Sequence, residues 1–426
     1  MKKLILIFLL QGYLMAATLL HTEIDGVKVP IIFEKDNRLP LTTVEFIFRE
    51  SGSLASSKAG LVSLAANLLN EGTKKEGSAT FAKELENRAI HLSANNGKET
   101  FVFSIEVLKE QLPFGIKKLK ELLKDPNYTE KTFQKIVKKR IATLIKKEDD
   151  FDYIASNGLK KLLFENSNLA LADLGTKESI KALTLNDLQS YINKHLFLNN
   201  LIVVAAGDFN KTEVEKITKD VASVLQKGHV NPIQKVTASS KEKTQEKSEE
   251  TKQAYIYFGA PYAMDINNSQ RYIGKIASYI LGAGGFGSRL MEEIRVKKGL
   301  AYSAYGRFVV NRTNSYFTGY LQTKLESQNE AIKSVKEVVS NFVHKGVTQE
   351  ELEAAKKFFL GSEPLRVETL NQRANRAFHE YYSGQGLGYS KKELELIEKL
   401  TLNELNNFIK KHSEILKMSF FIVTKK

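Results

Sequence analysis

Without cysteine, protein metal chemistry rests on histidine and carboxylate, and this sequence has seven histidines: His21, His91, His195, His229, His344, His379 and His412. Two histidines four apart on one helical face can grip a single zinc ion. No two of these seven are three or four apart, and neither H-E-x-x-H nor its inverse occurs. The pattern is that of separate surface or boundary histidines, and no metal site is expected on this chain. The lack of cysteine also removes disulfides, thiolate metal sites and cysteine nucleophiles. A second group of interest lies from Gly282 to Ser303, which reads GAGGFGSRLMEEIRVKKGLAYS. Its Gly282, Gly284 and Gly287 spell G-x-G-x-x-G. A dinucleotide site needs a strand before those glycines, whereas residues 272–281 carry a helical pattern. Together with Gly285 they are read instead as a glycine-rich turn able to approach a peptide backbone closely. The same block holds Arg295 and Tyr302, seven positions apart. A competing structural reading pairs Arg295 with Glu292 along a helix and packs Tyr302 in a strand.

The elements that must position these residues form two similar series. The segment from Leu183, LTLNDLQSYINKH, and that from Leu400, LTLNELNNFIKKH, share eight of thirteen positions at an offset of 217 residues. In each the second residue is a threonine followed three positions later by an acid, a capping-box start. Each leads into a β-rich run, LIVVAA from Leu201 and SFFIVT from Ser419. Other pieces recur in the same order. Strands are expected at 43–48 and 254–258, helices at 60–70 and 273–281, and strands at 101–107 and 316–323. Two long amphipathic helices come next in each half, at 111–123 and 130–145, then at 330–343 and 348–359. The fold class is therefore α+β, with two homologous lobes, each a mainly antiparallel sheet covered by helices. The lobes span residues 18–236 and 254–426. Between them, 237–253 is almost wholly Ser, Thr, Lys, Glu and Gln and is read as a flexible linker.

Residues Gly60 to Thr73, GLVSLAANLLNEGT, resemble the zinc helix of the pitrilysin-like peptidases, the inverzincins, in which an H-x-x-E-H core sits between a leading Gly and a closing Gly-Thr. In that frame the histidine slots hold Ser63 and Asn67, and the general-base slot holds Ala66. The family's remaining ligand is a glutamate on a later helix. The matching stretch, 131–147, has no acid and carries Lys135, Lys138, Lys139, Arg140, Lys146 and Lys147, a helix that would repel zinc. Its basic face is otherwise read as solvated. The pattern SRL-xxx-IR-xxxGLAYS resembles the family's second-lobe block, in which an Arg and a Tyr hold the peptide and stabilise the oxyanion; the matching residues are Arg295 and Tyr302. A guanidinium and a phenol hydroxyl are suited to that task where water is excluded. The glycine turn is similar to the loop of the non-catalytic mitochondrial processing subunit. Some bacterial members divide zinc and Arg/Tyr duties between two chains. The resemblance implies a non-catalytic subunit forming half of a clamshell chamber, with a zinc-bearing peptidase subunit of the same family as partner, zinc on that partner, and peptides or unfolded segments as substrates. The alternative is a non-enzymatic peptide-binding or scaffold protein on the same fold.

The start of the chain, Met-Lys-Lys, an apolar run from Leu4 to Leu10, then Ala16 and Ala17, reads as a signal peptide spanning 1–17, which places the protein in the periplasm or outside the cell. No later stretch approaches a membrane span. Removing the two lysines of the signal from 63 basic residues leaves 61 against 49 acids, a charge of +12. Such a surface favours acidic partners or membrane headgroups by long-range attraction. Its basic residues are interspersed with acids, and nucleic acid is not expected as a partner.

Overall fold

A computed structural model describes residues 17–425. The proposed signal peptide lies, except for Ala17, outside the described residues. The first lobe is built on strands β1 (Thr18–Ile24), β2 (Val27–Lys35), β3 (Leu41–Arg49), β4 (His91–Asn96), β5 (Thr100–Leu108) and β6 (Leu201–Gly207). They form one sheet in the order β1-β2-β6-β3-β5-β4, antiparallel except for β2 beside β6. The second lobe uses β7 (Thr244–Ser248), β8 (Gln253–Pro261), β9 (Ala301–Val310), β10 (Ser315–Lys324) and β11 (Ser419–Thr424) in the order β7-β11-β8-β10-β9. The run β6-β3-β5-β4 in the first sheet matches β11-β8-β10-β9 in the second. The repeated helix-then-strand blocks end in β6 and β11, which lie at equivalent places. Their helices, Leu185–His195 and Leu402–Lys411, open with reciprocal capping boxes, Thr184 with Asp187 and Thr401 with Glu404.

Residues 237–253 differ from the flexible linker expected. Thr244–Ser248 form β7 and pair in parallel with β11, as β2 pairs with β6. Every side chain of β7 is exposed, so its composition reads as a solvated tether. An edge strand, however, needs only backbone pairing on one side, and charged side chains protect its free edge. The same stretch is pinned further: Ser239 N donates to the Leu163 carbonyl at 2.7 Å, and Ala238 is buried. It is the second lobe's reduced counterpart of β2.

Each lobe lends a helix to the other lobe's sheet. The helix Phe151–Leu163 comes after the first lobe's long helices but packs on β8 and β11. Its Ala155, Leu159, Leu162 and Leu163 join Phe421 and Val423 in one apolar cluster. Contact is close enough that a Cβ on Gly158 would fall 2.4 Å from the Phe421 ring. In return Leu370–Tyr382 packs on β2 and β6, with Ala374 and Ala377 against Ile32, Ile202 and Val204. The two helices begin 219 residues apart, close to the repeat offset. Polar ties reinforce the exchange. Buried Arg373 donates to Glu34 at 3.0 Å and also to Asp36, while Asp152 accepts from Tyr257 Oη at 3.1 Å and Gln322 Nε2 at 2.8 Å. The lobes are thus interlocked rather than tethered. No helix among the described residues is long and apolar enough to cross a membrane.

Candidate functional site

The first candidate region is the helix Leu61–Leu69. Gly60 caps it with φ +83°, and a Cβ there would meet Ile180 at 2.6 Å, so the leading glycine of the frame serves the turn and its packing. The helix buries Leu61, Val62, Leu64, Ala65, Ala66, Leu68 and Leu69. Ser63 and Asn67, four apart, share its partly exposed face. Ala66, in the general-base slot, contributes a buried methyl to the first-lobe core.

This helix packs against Glu130–Lys146. Lys131, Lys138, Lys139 and Lys146 point to solvent, as a basic helical face should, and Lys135, also exposed, pairs with Glu71 at 2.5 Å. Arg140 alone among the basic residues of this helix turns inward and is 5% exposed. Its guanidinium donates to Ser63 Oγ at 2.9 Å and to the Leu174 carbonyl at 3.2 Å. Burial pushes its pKa down, but a guanidinium keeps its charge in proteins. Among the described residues no carboxylate lies within ion-pair distance of it. A fixed positive charge therefore sits on a side chain that would have to be a metal ligand. Nearby, burial also pushes the Tyr153 phenol up.

The described residues contain no cluster of three or more His, Asp and Glu side chains able to hold a metal ion. The histidines are dispersed. His195 stacks on Tyr191, His344 bonds Ser340 on its own helix, and His412 lies between Tyr262 and Phe408 with Nδ1 2.9 Å from Glu414.

The second region is the glycine-rich turn together with the helix and strand that come after it. The helix leading into the turn runs from Arg271 to Ser278 and continues as a π-helical turn over Tyr279–Ala283. Gly282 lies in that turn against β9, and a Cβ there would meet the backbone of Gly306 at 2.7 Å. Gly284 ends it, and Gly285 and Gly287 turn the chain at φ +62° and +95°. Much of the SRL-xxx-IR-xxxGLAYS block is accounted for by architecture. Arg289 makes a two-pronged pair with Glu351 at 2.6 and 2.7 Å, and Leu290 and Ile294 are core residues.

Arg295 and Tyr302 are not explained that way. Tyr302, the second residue of β9, is 83% exposed, and Phe286, between Gly285 and Gly287, is 70% exposed. The Arg295 guanidinium lies between their rings, 4.5 Å from the Phe286 centroid and 4.4 Å from that of Tyr302. The Glu292 pairing weighed from sequence does not form. Each cation–π contact at an exposed site is worth roughly 0.5–1 kcal/mol, enough to orient a side chain while leaving its N–H edges free. Phe286 was not singled out from sequence; an aromatic residue flanked by glycines and close in sequence to an expected guanidinium was the one signal for it. The structure brings Phe286, Arg295 and Tyr302 together. Among the described residues, no hydrogen bond, ion pair or ring contact joins them to Ser63, Ala66 or Asn67.

A family model described as "Insulinase (Peptidase family M16)" matches residues 44–177, and one described as "Peptidase M16 inactive domain" matches 182–359. A Helicobacter pylori protein called "Non-peptidase homolog YmxG" is 42% identical, covering 100% of this chain and 99% of its own length. Among solved structures, the peptidase M16 inactive domain from Pseudomonas fluorescens superposes with a TM-score of 0.88 at 23% identity, covering 96% of this chain and 98% of that one. The periplasmic protease PqqL from Escherichia coli superposes with a TM-score of 0.79 at 13% identity, covering 97% of this chain but 46% of its own. At these identities the structural likenesses concern the fold.

Proposed function

The chain belongs to peptidase family M16, and from that premise we propose that it is a non-catalytic member that completes a two-chain zinc peptidase. The partner, a zinc-bearing chain of the same family, supplies the metal and the general base. This chain supplies half of the enclosing chamber, and Arg295 and Tyr302 hold a peptide and donate to the oxyanion that develops at the partner's zinc. Phe286 holds the Arg295 guanidinium in place. The observation that carries the reading is the division of features within one chain. The metal face holds Ser63, Asn67 and a buried Arg140, while Tyr302 is 83% exposed and the Arg295 guanidinium, stacked between Phe286 and Tyr302, has no carboxylate partner among the described residues. The name of the 42%-identical Helicobacter pylori relative, a non-peptidase homologue, is in keeping with it. The chain spans 46% of the Escherichia coli periplasmic protease whose fold it shares, which leaves length in that protein for a further part of similar size. The N-terminal basic-then-apolar segment supports a periplasmic or secreted location.

The test is to purify this chain alone and together with an M16 chain from the same organism that keeps H-x-x-E-H, and to assay cleavage of unfolded peptide. The complex cleaves and this chain alone does not. Arg295→Ala and Tyr302→Phe each lower the complex's rate, with loss of an oxyanion donor costing on the order of a hundredfold. Full rates in both variants would refute the assigned role. A stable protein that recruits no zinc-bearing chain and still binds peptide would favour the scaffold alternative.

A further inference from the structure

A cavity of about 770 Å³ lies where the β4–β5 turn of the first lobe meets β9 and the helices of the second. That volume is in the range of roughly 300–1,000 Å³ typical of clefts for small molecules and short peptides. None of Phe286, Arg295 and Tyr302 lines it, though it borders the π-helical turn at Tyr279 and Ala283.

Its charge is unbalanced. Three acids line it, Glu99, Glu380 and Glu393, and all are engaged by the protein's own donors. Glu99 accepts from Thr313 N at 2.9 Å and Oγ1 at 2.6 Å, Glu380 from Gly388 N at 2.7 Å and Ser390 N at 2.8 Å, and Glu393 from Lys275 at 2.6 Å. Six cationic side chains line it as well. Lys98, Lys275 and Arg376 are paired with Asp173, Glu393 and Glu363. The other three are Arg271, Arg307 and Arg312. Arg312 reaches Glu50 only at 3.6 Å and stacks on Tyr382. Arg271 donates to the Ile266 carbonyl at 2.8 Å, and among the described residues neither it nor Arg307 has a carboxylate partner. Aromatic pairs line the same cavity, with Tyr262 stacked on Phe308 at 4.3 Å and Tyr279 on Phe358 at 4.6 Å.

We propose that this inter-lobe cavity binds a short acidic peptide, its carboxylates taken by Arg271, Arg307 and Arg312 and its apolar side chains by the aromatic pairs. A planar guanidinium matches a carboxylate with two parallel hydrogen bonds, and Arg271 and Arg307, without a carboxylate partner among the described residues, beside Arg312 stacked on Tyr382, are the donor set such a ligand needs. A neutral peptide would leave those donors without acceptors. The carboxylate comes from an Asp or Glu side chain or from the peptide's C-terminus. This binding belongs to the isolated chain and does not require a zinc-bearing partner.

The experiment is fluorescence anisotropy with the full chain and labelled short peptides. One alternates glutamate and phenylalanine with an amidated end, one alternates glutamine and phenylalanine with a free carboxyl end, and one alternates glutamine and phenylalanine with an amidated end. The first or second binds and the third binds at least roughly tenfold more weakly, the loss expected for one charge-assisted contact. Whichever of the first two binds identifies the carboxylate's source. Arg307→Gln, an exposed position, and Arg271→Gln each weaken the bound peptide roughly tenfold. If Arg271→Gln lowers the melting temperature, Arg307→Gln alone decides. Lys138→Gln with Lys139→Gln, on the solvated basic helix, leaves affinity unchanged. Equal binding of the third peptide, no binding of any peptide, unaltered affinity in Arg307→Gln, or an equal loss in the lysine variant overturns the proposal.

Discussion

Arg140 makes a specific prediction about zinc. If the metal slot failed only for want of ligands, Ser63→His with Asn67→His would go far to restore it, since both positions lie on one partly exposed helical face. The Arg140 guanidinium, however, already donates to Ser63 Oγ at 2.9 Å. A zinc ion about 2 Å from a ligand nitrogen at position 63 would then sit on the order of 5 Å from a fixed positive charge. At an effective dielectric constant of about 20, Coulomb's law puts the repulsion between a dication and a guanidinium at that distance on the order of 7 kcal/mol. That is roughly five decades in affinity. The two-histidine variant is therefore expected to hold no zinc at micromolar concentration. Adding Arg140→Glu removes the repulsion and supplies a third ligand, and this variant is expected to bind one zinc and to melt at higher temperature with zinc than without. Arg140→Gln in the two-histidine background falls between them. Titration calorimetry and thermal melts with and without zinc read the series. If the two-histidine variant binds zinc as tightly with Arg140 in place as with Arg140→Glu, the claim that this arginine closes the slot is wrong.

Further predictions concern the interlocked fold. Because each sheet carries a helix from the other lobe, calorimetry is expected to show one cooperative unfolding transition; two separated transitions would mean the lobes are independent. Gly158→Ala places a methyl against the Phe421 ring and is expected to cost about 1–3 kcal/mol of stability, read by denaturant unfolding. Arg373→Ala strands buried Glu34 and is expected to cost about 3–5 kcal/mol, the penalty of breaking a buried ion pair. Asp36 has its carboxyl lowered to about 2 from 3.8, chiefly by the side-chain hydrogen bond from Arg38. A lowered folded-state pKa contributes stability that is present above pH 3.8 and lost as pH falls through about 2. Asp36→Asn is expected to flatten the stability profile in that window.

Much of the architecture could be read from the chain because local pattern and global fold agree. The capping threonines Thr184 and Thr401, the apolar runs that became β6 and β11, and the amphipathic helices all announce themselves within a dozen residues. What could not be read depends on partners distant in sequence. The helix Phe151–Leu163 has an ordinary buried stripe, and nothing local says that the stripe meets Phe421 of the other lobe. Hydropathy hid β7, because an edge strand can be entirely polar. At the candidate sites, Ser63, Ala66 and Asn67 were legible as substitutions within a frame. That one cation of a basic helix turns inward onto Ser63 was not, since helical spacing alone does not tell Arg140 from the lysines around it. Likewise the Arg295–Tyr302 pair was visible as a motif, while the Phe286 ring completing the stack is set by the geometry of the glycine turn.

The most direct measurement is elemental analysis of the isolated, full-length chain after equilibration with zinc and removal of free metal. The account predicts substoichiometric zinc and no hydrolysis of unfolded peptide by that preparation. One tightly held equivalent of zinc per chain, accompanied by cleavage, would contradict it.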